Sequence, residues 1–377
     1  MTTGAPLAGI RVLSLAQQYP GPFATMLLAD LGADVVLVEQ PGHGDPSRRF
    51  PGLFAALNRN KRSVVLDLKS PQGRDDFLAL VDTADVVLEG FRPGAMDRLQ
   101  LGPDHLRTHK PDLIAVSISA FGQTGPLSAL AGHDLSIQAA AGMLDIPVGK
   151  EAETSLPRLP LADIASAMYA ALAIVSALRA RDRAGDGATL DISMFDGLVS
   201  WMSPFIVPPL NGLPLRPLPP LDPGYGVFAT ADGRQITLSI AGEDHMWRAL
   251  CDFLGLGDLA GLTESERDQR TSQITPRLRQ AIRQHELDTL CRVFTERRIA
   301  FGPVNTIEAL IEDPQVAHRG MIETWHGGDA GMRFVREPMG FVSTGDVIRR
   351  GVPALGEHTT ALLDEARTGR RAKEQGI

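Results

Sequence analysis

The chain has 377 residues, 44% of them hydrophobic, and its 37 basic against 45 acidic side chains leave a net charge of −8. That length carries about two domains with a sizeable core and needs no disulfide staples. The mixed-sign, acidic balance excludes general affinity for nucleic acid or an acidic membrane, although a local basic cluster could still hold a phosphate ligand. Cys251 and Cys291 lie in amphipathic helical patterns rather than at paired spacings, as reduced cytoplasmic thiols do. The start, Met1 to Pro6, lacks a basic region followed by an apolar core. No run is expected to reach the length that crosses a bilayer, and the expected location is the cytoplasm.

The first third alternates β-like and helical patterns. Gly9 to Leu15, Asp34 to Glu39, Ser63 to Leu68, Asp85 to Glu89 and Leu113 to Ile118 read as strands, with helices over Phe23 to Leu31 and Gln72 to Asp82. Strands rich in Val, Ile and Leu and separated by helices imply a parallel sheet covered on both faces. Asp163 then heads a long helical pattern in which Ile164, Met168, Ala171, Leu172, Val175 and Leu178 recur at three- and four-residue steps up to Gly185. A strand over Ala188 to Met194 and a short helix around Leu198 and Trp201 follow. Eight prolines between Pro204 and Pro223 resist helix and central strand and predict a largely extended linker. Beyond it come a hairpin pattern around Ala231 to Arg234 and helices over Asp244 to Phe253, Thr275 to Arg283 and Leu287 to Arg297. The last helix is expected over Thr359 to Arg367, with a loose charged tail after it. The reading is therefore a large α/β domain over 1–203, a linker over 204–223, a smaller α/β domain over 224–324, and a part over 325–377 that returns to the large domain.

The βαβ pattern with Glu39 at the end of its second strand invites comparison with dinucleotide sites. Its turn, Gln18-Tyr19-Pro20-Gly21-Pro22, has one glycine between two prolines and lacks the glycines that let a backbone approach a pyrophosphate. Arg59, Lys61, Arg62, Lys69, Arg92 and Arg98 recur near element ends. They are either solvated surface charges or, if gathered on one face, a hold for a phosphate-rich handle. Phe91 beside Arg92 could stack on a base. The nine histidines show no metal spacing, and Glu243-Asp244-His245 is too compressed for a zinc site, so no metal is expected. His133 and Asp163 stand 163 − 133 = 30 residues apart in small or apolar surroundings. Such a pair supplies acid, base or nucleophile chemistry if the fold unites it, whereas locally a loop His and an N-cap Asp are ordinary features.

Long strings in matching order carry a resemblance: Leu7 to Leu13, Leu27 to Val36, Leu57 to Ser63 with Leu66 to Lys69, Phe91 to Leu99, Phe121 to Pro126, and Gly302 to Ile307. Together they resemble the family III CoA-transferases, which share a fold with 2-methylacyl-CoA racemases. The resemblance implies a Rossmann-like parallel sheet in a large domain, a smaller α/β domain, and an interlocked homodimer. It implies coenzyme A as substrate and product with no tightly bound cofactor, and an acyl-CoA and a free carboxylic acid as partners. Asp163 matches the family's catalytic carboxylate. Leu66, Lys69, Phe91, Arg92, Arg98 and Leu99 resemble positions that hold the CoA nucleotide. In the transferase form Asp163 is a nucleophile. In the racemase form His133 and Asp163 flank an α-carbon, and Glu243 falls near a further acidic position. Ile164-Ala165-Ser166-Ala167 after Asp163, together with Gln138-Ala139, is more transferase-like than the glycine-rich run usual in racemases. A binding protein that only retains CoA-ester affinity is the third alternative.

Overall fold

The computed structural model describes residues 5–146, 157–214, 222–327, 331–339 and 347–374. Described residues within 1–146, 154–207 and 317–377 cluster into one compact unit, and those within 208–316 into another. The sequence pattern places the corresponding divisions at 203 and 324.

The first unit runs through β1 (Arg11–Ser14), α1 (Pro20–Asp30), β2 (Asp34–Glu39), α2 (Pro51–Asn58), β3 (Lys61–Val65), α3 (Pro71–Val81), β4 (Val86–Glu89), α4 (Ala95–Arg98), α5 (Pro103–His109) and β5 (Ile114–Ser119). It continues with α6 (Asp134–Ala140), α7 (Leu161–Ala184), β6 (Ala188–Ser193) and α8 (Met194–Trp201), and the division at 207 falls within α9 (Ser203–Leu210). Six of its strands form one sheet in the order β3-β2-β1-β4-β5-β6, and two further strands, Ile322–Trp325 and Met332–Val335, pair antiparallel apart from it. Every pairing in it is parallel. Alternate residues of one strand feed opposite cores, as a two-sided parallel sheet requires. Val12, Val35, Val86 and Ile114 pack in the cluster beneath α1 and α7. Leu13, Val36, Val64 and Val87 pack in the opposite cluster with α3.

The 24-residue α7 shows why apolar composition alone misleads. Against the expectation that no run reaches membrane-spanning length, it is long and apolar enough to do so, and half of its most apolar stretch is buried inside the protein. Ala162, Ala165, Ala167, Ala170, Ile174 and Leu178 are buried, and small residues let α1 pack closely beside it. The helix ends at Gly185, whose φ of +84° suits a left-handed cap.

Two local expectations are corrected. Residues 203–210 are helical rather than extended: Pro204 sits in the first turn, where a missing N–H costs no intrahelical bond, and Pro208 and Pro209 fall in the last turn, where the helix stops. Residues 215–221 of the expected linker lie outside the described residues. The charged end is helical as far as Glu374, over Thr359–Glu374. The return of this segment is anchored on the sheet edge: His358 N donates to Ser63 O at 2.9 Å and Val65 N to Thr359 Oγ1 at 3.0 Å.

The second unit pairs β7 (Tyr225–Ala229), β8 (Gln235–Ser239) and β9 (Phe301–Pro303) in an antiparallel sheet. Its core joins them to α10 (Asp244–Leu254) and to the helices over Thr271–Ile282 and Leu287–Glu296, as the buried Ile236, Trp247, Leu278 and Phe294 show.

Candidate active site

The sheet's connections reverse between β1 and β4, the place where open parallel sheets bind ligands beyond their carboxyl ends. A cleft of about 430 Å³ lies there, lined from β1 onward by Ala16 to Gly21, after β4 by Gly90 to Pro93, after β5 by Ser119 and Ala120, and by His133, Asp134 and Asp163. Close backbone crossings shape it. A Cβ on Gly21 would lie 2.1 Å from the Ala16 Cβ, so this position requires glycine, and one on Gly90 would lie 3.2 Å from the same atom, a tight contact. The single glycine between two prolines is a packing requirement of this turn.

Two cleft walls are held by buried side chains. Glu89, at the end of β4, accepts the Phe91 N–H at 2.6 Å and so shapes the loop that presents Phe91 and Arg92. Burial pushes its carboxyl above the ordinary value, despite hydrogen bonds from Ser117 and Phe91. Lys61 is buried, and its ammonium donates to Pro22 O at 2.8 Å, Thr25 Oγ1 at 2.9 Å and Asn58 Oδ1 at 2.9 Å. It thereby pins the first turn of α1, and desolvation holds its pKa well below that of an exposed lysine.

Asp163 is not the N-cap of its helix. It is the third residue of α7, whose N-cap is Pro160, a residue without a side-chain acceptor. The cap comes from elsewhere: Asp134 Oδ1 accepts the N–H of Ala162 at 2.7 Å and of Asp163 at 3.3 Å. Its Oδ2 accepts from Gln138 Nε2 at 2.6 Å. Burial first, and then the Asp134 carboxylate, push the Asp163 carboxyl up to about 7. A helix N-terminus by itself favours the anion; here desolvation and a like charge outweigh it. Tyr19 faces the same charge, and burial together with Asp163 raises its phenol pKa.

His133 is exposed at the start of α6 and shares the cleft with Asp163, so the fold brings this pair to one opening. Leu66, Phe91 and Leu99 pack on one core cluster, while Lys69, Arg92 and Arg98 are exposed. Among them, Phe91 and Arg92 line the cleft. The other cations of the sequence reading are engaged internally: Arg59 is buried on Asp30, Lys61 pins α1, and Arg62 pairs with Asp34 and Glu365. Glu39 is likewise held by Arg48 and Ser63. Glu243 belongs to the second unit, where its exposed carboxylate accepts the Ala241 N–H at 2.8 Å at the start of α10. Among the described residues, no three His, Cys, Asp or Glu side chains gather as a metal site. Sequence reasoning missed Asp134 and Glu89, whose contacts join separate elements.

Comparison with known proteins decides the family. The pattern of CoA-transferase family III matches residues 7–359. The chain belongs to CoA-transferase family III. A succinate–glutarate CoA-transferase of Agrobacterium fabrum is 33% identical, over 96% of this chain and 96% of its own length. A succinyl-CoA:mesaconate CoA-transferase of Haloarcula marismortui is also 33% identical, with the same two shares. A crystal structure of a CaiB/BaiF family protein from Brucella suis superposes with a TM-score of 0.86 at 31% identity, covering 97% of this chain and 100% of that one. The protein is a CoA-transferase enzyme with the α/β fold of that family.

Proposed function

We propose that this CoA-transferase moves CoA between an acyl-CoA and a free carboxylic acid with Asp163 as its nucleophile. The observation that carries this reading is the half-buried Asp163 carboxylate in the cleft at the sheet's switch point, with its pKa raised to about 7. A carboxylate of that basicity is ionised in useful amount near neutral pH and is a better nucleophile than an ordinary aspartate. It attacks the thioester carbonyl, the C–S bond breaks, and CoA leaves as thiolate from a mixed anhydride. The thiolate attacks the Asp163 carbonyl and the first acid departs with the bridging oxygen. The acceptor carboxylate then attacks the aspartyl thioester, forming a second anhydride and freeing the thiolate. Attack on the acceptor's carbonyl yields the new acyl-CoA and restores Asp163.

In this reading Leu66, Phe91 and Leu99 supply apolar contact to the CoA nucleotide, and exposed Lys69, Arg92 and Arg98 supply charge to its phosphates. The names of the two relatives favour dicarboxylic acceptor acids. The shared cleft of His133 and Asp163 supports a second reading, α-carbon racemisation with the two as acid and base. The test incubates the enzyme and acyl-CoAs in deuterated water, with and without a panel of acids that starts with succinate and glutarate. New acyl-CoA formed only with acceptor, without α-deuterium, is the expected result. Rapid α-exchange with no transfer would reverse the choice.

A further inference from the structure

The long helix that carries Asp163 begins without a side-chain cap of its own, and a carboxylate from another helix takes that place. Four N–H groups at a helix start lack intrahelical partners, and a buried start needs an acceptor. Asp134 Oδ1 serves two of them, on Ala162 and on Asp163 itself. Gln138, buried one turn along α6, fixes the other oxygen through its amide and also reaches Leu159 O at 3.3 Å. The clasp therefore joins the His133 loop, α6 and the start of α7 around the reacting carboxylate.

A neutral serine or asparagine would meet the capping need as well. A carboxylate does more, since its charge opposes the positive field of the helix end and disfavours a second anion beside it. Building on the reading of Asp163 as nucleophile, we propose that Asp134 is a positioning residue that seats the first turn of α7 and, through its fixed negative charge, keeps the Asp163 carboxylate basic and hence nucleophilic. The raised pKa of Asp163, to which Asp134 contributes after burial, accords with this. The other titratable groups on the cleft walls are Tyr19 before α1, Arg92 after β4 and His133 before α6. Of these, Arg92 would act in the opposite sense, as a cation, and His133 would do so once protonated.

The test separates charge from shape. Asp134→Asn keeps an acceptor oxygen for the α7 N–H groups and removes the charge. The acidic limb of its kcat/KM profile should move down by about one pH unit. Its kcat on the alkaline plateau should fall roughly tenfold, with KM for the acyl-CoA changed less than about threefold. Gln138→Leu removes a donor from Asp134 and leaves its charge less neutralised, so the limb should move the other way, upward. Opposite shifts are expected from the proposal, whereas a cap with no electrostatic role leaves both limbs in place and overturns it. If Asp134→Asn does not fold, the sign of the Gln138→Leu shift alone decides. Asp163→Asn is the control: residual transfer in that variant removes the nucleophile reading, while its complete loss together with unmoved limbs in the Asp134→Asn and Gln138→Leu profiles removes only the role given to Asp134.

Discussion

Asp163 is held in an environment that disfavours its anion, and this has a cost to stability with a defined sign. Its carboxyl titrates near 7 in the folded protein against an ordinary value of 3.8. The folded state thus holds an extra proton between those values, and its stability falls as pH rises from about 4 to about 7. Asp163→Asn removes that penalty. The variant should be more stable than the parent by on the order of 3 kcal/mol at pH 8, and by less than half as much at pH 5, in urea titrations. A variant of equal stability at both pH values would show that Asp163 ionises freely. Its transfer activity should be lost, the trade expected where a site is built for chemistry at some expense of stability.

His133 and Arg98 separate positioning from binding at the same scale. His133→Ala should retain CoA transfer to an acceptor acid within roughly tenfold, because no step of the anhydride route passes a proton through the imidazole. Loss of all transfer, with loss of α-exchange, would point instead to acid–base chemistry at the α-carbon. Arg98 is exposed after the β4 loop. Arg98→Ala should raise KM for CoA esters about tenfold and change kcat less than about threefold, since its proposed contact is to the nucleotide. Steady-state kinetics with one acyl-CoA reads both parameters.

Among the elements, the first turn of α1, where it meets the loop after β1, bears the tightest glycine contact of the cleft. A methyl group at position 21 would overlap Ala16 Cβ. Gly21→Ala should therefore cost about 2 kcal/mol in urea unfolding and should lower activity by displacing Tyr19 and Gln18. The periodic strands and the run of α7 were legible in the sequence, since Val- and Leu-rich segments such as Asp34–Glu39 can satisfy themselves only in a two-sided parallel sheet. The cap of α7 was not. Asp163 sits where a local rule expects a cap, but the acceptor comes from Asp134, 163 − 134 = 29 residues earlier, and local patterns do not report tertiary capping. Arg59, Lys61 and Arg62 looked like a ligand's handle for the same reason. Their partners Asp30, Thr25 and Asp34 lie on a different stretch of chain, and only the fold reveals them. Pairing of His133 with Asp163 in one cleft was legible only through family resemblance.

For the whole molecule, α1 and α7 leave an apolar groove of about 600 Å³, lined by Leu27, Leu31, Met168, Leu172, Val175 and Trp201. Leu172 is 63% exposed and Met168 53%, and contiguous apolar surface of this kind marks an interaction face. The family resemblance implies a homodimer, and we propose that a second copy of the chain covers this groove. Light scattering should give twice the 40.5 kDa chain mass, and Leu172→Glu should shift it toward the single chain. A parent protein that runs as a monomer at micromolar concentration would contradict this.

The central claim is that oxygen passes through Asp163, and isotope transfer tests it directly. In the anhydride route each turnover removes one Asp163 oxygen with the donor acid and replaces it with one from the acceptor acid. Enzyme turned over with acyl-CoA and an acceptor acid carrying ¹⁸O in both carboxylate positions should be digested and the peptide containing Asp163 weighed. The account predicts ¹⁸O in that peptide, located at Asp163 by fragmentation and accumulating with turnover. Labelled acyl-CoA product formed while Asp163 stays unlabelled would contradict it.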